Sequence, residues 1–117
     1  MRFVSPKEAH VLVEAENVVE VWDTRTLGEW KLSHIAGAKS MPHSEVVVNV
    51  KGCKCFTPIT LPKGTPILVY GNNETASVLE RSGFTQIYVL KGGLEAWRRA
   101  GLPYVISDVR SWRDIHD

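Results

Sequence analysis

Short apolar runs alternate with helix-patterned stretches from one end of the chain to the other. Ser5-Pro6-Lys7-Glu8 has the form of a capping box with proline at the first helical position, and Ala9, Leu12 and Val13 follow at helical spacing. This predicts a helix over residues 6–15. Val18, Val19, Val21 and Trp22 make a β-branched and aromatic run, interrupted by Glu20 and ended by Asp23, as expected of a buried strand. A short helix is expected over 27–32 and a brief strand over 38–41, stopped by Pro42. The 43–65 stretch is poorly patterned: Val46, Val47, Val48 and Val50 favour a strand by propensity, while their context equally accommodates a short helix. A second buried-type strand covers 66–70, a helix over 74–82 is closed by Gly83, and a third strand covers 86–90. Gly92-Gly93 opens a helix with Leu94 and Trp97 on one face, which ends at Gly101 ahead of Pro103. In the remainder, Val109, Trp112 and Ile115 recur every third residue, a spacing suited to an amphipathic turn that docks back on the domain.

Alternation of short apolar strands with helices implies parallel pairing through crossover connections, so the expected class is an α/β sandwich with a mainly parallel sheet. With 117 residues, 44% of them hydrophobic, the chain has enough apolar surface for one core and too little for two. We expect one domain over 1–104 and a tail over 105–117. Ligands of such sheets bind beyond the carboxyl ends of the strands. The turns at 23–25 and 71–75 meet that description best.

Charge and cysteine usage narrow the function classes. Fourteen basic and 13 acidic residues give a net charge of +1 without long like-charge blocks, which provides no footprint for nucleic acid or an anionic membrane. No apolar run approaches the roughly 20 residues that span a bilayer. Met1-Arg2-Phe3-Val4 leads into a capped helix instead of a signal-peptide core, so the expected compartment is the cytoplasm. Cys53 and Cys55, two residues apart, are too few for a secreted disulfide scaffold and are expected as reduced thiols.

Two stretches carry a family resemblance. "VVEVWDTRTLGEWKLSHIAGAKSMP" (18–42) contains Asp23-x-Arg25, Glu29 before an aromatic, and His34-Ile35-x-Gly37-Ala38 ahead of a proline. "GFTQIYVLKGGLEAWRRAGLPY" (83–104) contains Leu90-Lys91-Gly92-Gly93, Trp97 and Gly101-Leu102-Pro103. In order and spacing these resemble the two signatures of rhodanese-like domains. The resemblance implies a three-layer α/β/α sandwich with a five-stranded, mainly parallel sheet. It also implies sulfurtransferase chemistry in the loop after the strand that ends here at Tyr70. There an active member resembles Tyr-Cys-x-x-Gly-x-Arg-Ser, whose cysteine takes the sulfane sulfur of thiosulfate as a persulfide. A thiolate at a helix N-terminus ringed by backbone N–H groups has a lowered pKa and an anion cradle ready beside it.

This chain departs from that pattern. Gly71 stands at the cysteine position, the arginine is absent, and the twelve positions from Gly71 to Gly83 are fewer than the family's loop plus helix. Glycine carries no nucleophile. The expectation is therefore a catalytically inactive rhodanese-like domain that serves as a binding or regulatory module, with another protein as partner and the oligomeric state left open. The alternative is a thiosulfate or persulfide sulfurtransferase that uses Cys53, Cys55 or a partner's thiol.

The candidate site comprises Gly71, Asn72, Asn73, Thr75, Asp23 and Arg25. Asn72 or Asn73 is the expected helix N-cap, and Thr75 and Ser77 are expected to cap the backbone or face solvent, local roles favoured for such residues at helix starts. The helix end is a weak attractor for anions that Glu74 opposes. Asp23 and Arg25 read first as a strand-end salt bridge, and His34 as a framework residue of its motif. Cys53 and Cys55 beside Lys51 and Lys54 could accept sulfur or bind a soft metal, but no second ligand pair completes a tetrahedral set. No metal or cofactor is expected. Trp22, Trp30 and Trp97 read as packing residues, and Trp112 between Arg110 and Arg113 as a candidate anchor for a partner or a second copy.

Overall fold

The computed structural model describes residues 1–16, 20–50 and 60–107. The Ser5–Glu8 capping box forms as the sequence predicts: the Glu8 N–H donates to Ser5 Oγ at 3.2 Å, and the Ser5 N–H donates to Glu8 Oε1 at 3.2 Å. It starts α1 (Pro6–Glu16), which follows a strand the sequence pattern does not reveal, β1 (Arg2–Val4). Next come β2 (Glu20–Asp23), α2 (Leu27–Leu32), β3 (Ser33–Ile35), β4 (Lys39–Ser40) and α3 (His43–Val50). After the described residues resume, β5 (Ile67–Tyr70), α4 (Glu74–Arg81), β6 (Ile87–Leu90), α5 (Gly93–Arg99) and β7 (Tyr104–Ile106) complete the chain. Val18 and Val19, Cys53 and Cys55, and the amphipathic spacing at Val109, Trp112 and Ile115 lie outside the described residues.

Five strands pair in the order β1-β6-β5-β2-β4, every neighbour parallel. β5 is central, and all four of its residues are buried, as a strand covered on both faces must be. Its pleat sends Leu68 and Tyr70 to one face and Ile67 and Val69 to the other. On the first face Val4, Val21 and Leu90 meet Ala9 of α1, Trp97 of α5 and Ile35 of β3. On the second, Trp22, Ile87 and Val89 meet Val46 of α3 and Ala76 and Leu79 of α4. The expected three-layer sandwich is thus the observed one.

Two features add to the sequence reading. Of the strand and the short helix left open for the valine-rich segment, the helix forms, from His43 to Val50, and that conformation buries Val46 against Trp22 and α4. Tertiary packing overrides β-propensity there. A second sheet, β3 with β7, runs antiparallel with Ile35 opposite Tyr104 and Ser33 opposite Ile106. The expected domain boundary at 104 therefore falls inside β7.

Candidate functional site

Parallel pairing puts the carboxyl ends of β2 and β5 side by side, with Asp23 opposite Tyr70. The chain must turn away at both points, and the two turns interlock. Thr24 N–H and the Thr24 hydroxyl both donate to Tyr70 O, at 2.9 and 2.8 Å, and Asn72 N–H donates to Thr24 Oγ1 at 2.7 Å.

Asp23 is fully buried and would be costly there without partners. It has several. The Arg25 backbone N–H donates to Oδ1 at 3.0 Å, and the Arg25 guanidinium donates to both carboxylate oxygens, with Nε 3.0 Å from Oδ1 and Nη2 2.7 Å from Oδ2. Tyr70 donates its hydroxyl to Oδ2 at 2.9 Å and accepts the Ile35 N–H at 3.0 Å. Arg25 Nη2 also donates to Ser33 O at 2.6 Å. The hydrogen bonds to Asp23 push the Arg25 guanidinium above its ordinary pKa against the opposing effect of burial. Burial pushes the Tyr70 phenol up as well, so it stays protonated and keeps its donor.

Beyond Tyr70 the loop is three residues long before α4 begins. Gly71 has φ +105°, a conformation L side chains rarely adopt, and a Cβ built there would lie 2.7 Å from Arg25 Cγ and 3.1 Å from Thr24 Oγ1. Asn72 Oδ1 accepts the Glu74 N–H at 3.0 Å, while the carbonyls of Asn72 and Asn73 accept the N–H groups of Thr75 and Ala76, each at 3.2 Å. The amides that open α4 already have partners within the protein. Asn72 supplies the capping side chain, and Asn73, the residue before the helix, makes no side-chain cap.

Thr75 departs from its expected place. It is fully buried, and its hydroxyl shares a 2.7 Å hydrogen bond with His43 Nδ1, joining α4 to the start of α3. Its helical position, beside Ala76 and one turn before Leu79, puts it on the inward face. Helical periodicity signals this, whereas the preference of hydroxyl residues for helix starts does not. Asp23, Arg25, Gly71, Asn72 and Asn73 do gather at one edge, together with Thr24, Tyr70 and His43, which the sequence reading left out. His34 is a framework residue: Nδ1 donates to Trp30 O at 2.7 Å and the ring stacks on Trp30 at 4.2 Å. Trp22 and Trp97 are buried in the two cores, and Trp97 Nε1 donates to Pro103 O at 2.7 Å.

Two hollows flank the Gly71 turn. One, of about 390 Å³, is walled by Arg25, Tyr70, Gly71, Asn73 and the start of α5 from Gly92 to Glu95. The other, of about 400 Å³, lies between Thr24, Thr26, Pro42, His43 and Asn72. Among the described residues lining them, Arg25 is the one permanent cation, and it is turned to Asp23 and Ser33; Glu29 and Glu95 stand on the rims. No group of three or more His, Cys, Asp or Glu side chains is gathered as for a metal among the described residues. Nor is any helix among them long and apolar enough to cross a membrane.

Comparison with known proteins agrees with this architecture. The Escherichia coli K12 protein YibN is 30% identical over 110 residues, which span 90% of this chain and 73% of that protein. The thiosulfate sulfurtransferase GlpE of Pseudomonas paraeruginosa is 28% identical over 97 residues, 81% of this chain and 82% of GlpE. The solution structure of the rhodanese-like domain of Alr3790 from Anabaena superposes with a TM-score of 0.76 at 26% identity, covering 95% of this chain and 83% of that one. The family described as "Rhodanese-like domain" matches residues 5–100. By fold, motif order and this match, the chain belongs to the rhodanese-like domain family.

Proposed function

We propose that this rhodanese-like domain is catalytically inactive and acts as a protein-binding or regulatory module. The observation that carries the reading is the Gly71 turn. At the position where the family's nucleophilic cysteine is expected, the backbone has φ +105° and no room for a Cβ beside Arg25. The loop's donors support the same reading. Asn72 N–H, Glu74 N–H, Thr75 N–H and Ala76 N–H bond to oxygens of the protein itself, so they form no cradle for an anion. The exposed surface around Gly71 is then available for protein contact.

A second reading has support from the relatives named thiosulfate sulfurtransferase: sulfur transfer through Cys53, Cys55 or a partner's thiol. A thiosulfate-to-cyanide assay on the full chain and its Cys53→Ser and Cys55→Ser variants separates the two. The inactive module shows no turnover in any of them. Turnover by the wild type that disappears with either serine variant overturns it in favour of the second reading.

A further inference from the structure

The concave surface beside the Gly71 turn does not end at Glu95. That residue walls the hollow next to Gly71 and also a third hollow, of about 370 Å³, which continues along α5 to Arg98, Arg99 and Tyr104. Glu95, Arg98 and Arg99 stand at i, i+3 and i+4 of the helix, so they share one face. The two arginines are engaged differently. Arg99 Nη2 donates to Glu95 Oε1 at 2.6 Å, which offsets one charge of each sign. Arg98 is exposed and has no carboxylate partner among the described residues; its Cζ lies 4.8 Å from the centroid of the Tyr104 ring. Tyr104 and Ile106 point to the same side of β7, because side chains alternate along a strand, and they are 39% and 53% exposed. An arginine laid on a partly exposed tyrosine, with an exposed isoleucine on the same side, has the composition of an interface centre.

We propose that the partner-binding surface runs from the Gly71 turn along α5 to Tyr104 and takes an acidic segment of a partner protein, with a carboxylate of that segment paired to Arg98. This rests on the reading of the domain as a protein-binding module. Charge selects the occupant. Among the described residues lining the three hollows, Arg25 is turned to Asp23 and Arg99 to Glu95, while Arg98 keeps a positive charge without an anionic partner. Position sets the register of the segment. Toward Gly71 the walls are uncharged at Asn73, Gly92, Gly93 and Leu94, so the acidic residue belongs at the Tyr104 end and uncharged residues follow it. Leu94 and Arg98 are about one helical turn apart, roughly 5.4 Å along the axis. Two residues of extended chain cover that distance at about 3.3 Å each. Lying over the Tyr104 ring and Ile106, the segment also shields the new ion pair from water, which strengthens it.

Nuclear magnetic resonance titrations of the full chain test the proposal, with end-capped hexaglutamate as the acidic probe, hexalysine as its opposite and inorganic phosphate as a small anion. Hexaglutamate is expected to shift the Arg98 Nε–H and Tyr104 ring resonances saturably, and the other two to leave them in place. Arg98→Gln is expected to weaken hexaglutamate binding about fivefold, the upper end for an exposed ion pair. Arg81→Gln removes the same charge from α4, in the opposite helix layer, and is expected to leave the affinity unchanged. Unmoved Arg98 and Tyr104 resonances overturn the proposal, as does equal weakening by the two variants, which would report net charge alone. Equal shifts with phosphate assign Arg98 to small anions and overturn it too. The sulfurtransferase assay reads the Gly71 turn separately: cysteine-dependent turnover overturns the inactive module, whereas failed titrations leave that reading standing.

Discussion

The turns after β2 and β5 close the same edge of the sheet and differ in what they keep of the family pattern. The β2 turn retains Asp23-x-Arg25, whose charged groups hold structure: the carboxylate binds Arg25 and Tyr70, and the guanidinium reaches across to Ser33. The β5 turn lacks both the cysteine and the arginine of the family loop, and its short connection is stabilised by Thr24 and Asn72. Under the proposed inactive reading, the motif residues that persist beside this turn hold its architecture. Family membership thus testifies to the fold more directly than to turnover.

Substitutions can break or sharpen this contrast. The largest effect is expected for Asp23→Ala, which strands Arg25 and leaves the Tyr70 hydroxyl without its acceptor. We expect a loss of about 3 kcal/mol in urea unfolding, the low end for a broken buried pair, because the Arg25 side chain retains 22% exposure. A change within experimental error would show that the β2 turn is not an architectural knot. Gly71→Cys comes next. Strain at positive φ is expected to cost about 2 kcal/mol, with no thiosulfate sulfurtransferase activity gained. Activity at undiminished stability would mean that the β5 turn lacks the thiol alone.

Smaller effects lie away from the edge. Thr75→Val removes the hydroxyl shared with His43 and is expected to cost about 1 kcal/mol in the same measurement; a neutral result would remove the α3–α4 tie from the account. The exposed capping box provides the reference. Backbone and side-chain hydrogen bonds from Ser5 hold the Glu8 carboxyl below its ordinary value of 4.5. A lowered folded-state pKa contributes stability above the ordinary value, which is lost as pH falls through the lowered one. Glu8→Gln should therefore lie slightly below wild type in unfolding midpoint at neutral pH and converge with it in acid. A gap that stays constant down to low pH would contradict this.

Much of the architecture was legible because burial leaves a periodic imprint. β5, covered on both faces, reads as an uninterrupted apolar run, and the capping box marks the start of α1. The misses have equally physical reasons. β1 and β3 have three residues each, too short to show alternation, and β7 is exposed throughout, so no burial pattern marks it. For the valines of α3 the sequence left strand and helix open, and packing against α4 decides for the helix. At the site, Asp23, Arg25 and Gly71 stood out by motif and position. Tyr70 and Thr24 did not, because their roles depend on the register that sets β2 against β5. Thr75 was misplaced because a local rule about helix starts competed with the inward face of α4 and lost.

The bonds inside the β5 turn also change the competition an external anion would face. Asn72 Oδ1 on the Glu74 amide and Thr24 Oγ1 on the Asn72 amide behave as ligands tethered to their own receptor. Tethering over a short span gives an effective concentration on the order of millimolar or more. A free anion approaching the Asn72 or Glu74 amide must displace these resident oxygens. For the proposed binding module, the shape of the turn is therefore set by oxygens of the chain itself at the Asn72 and Glu74 amides.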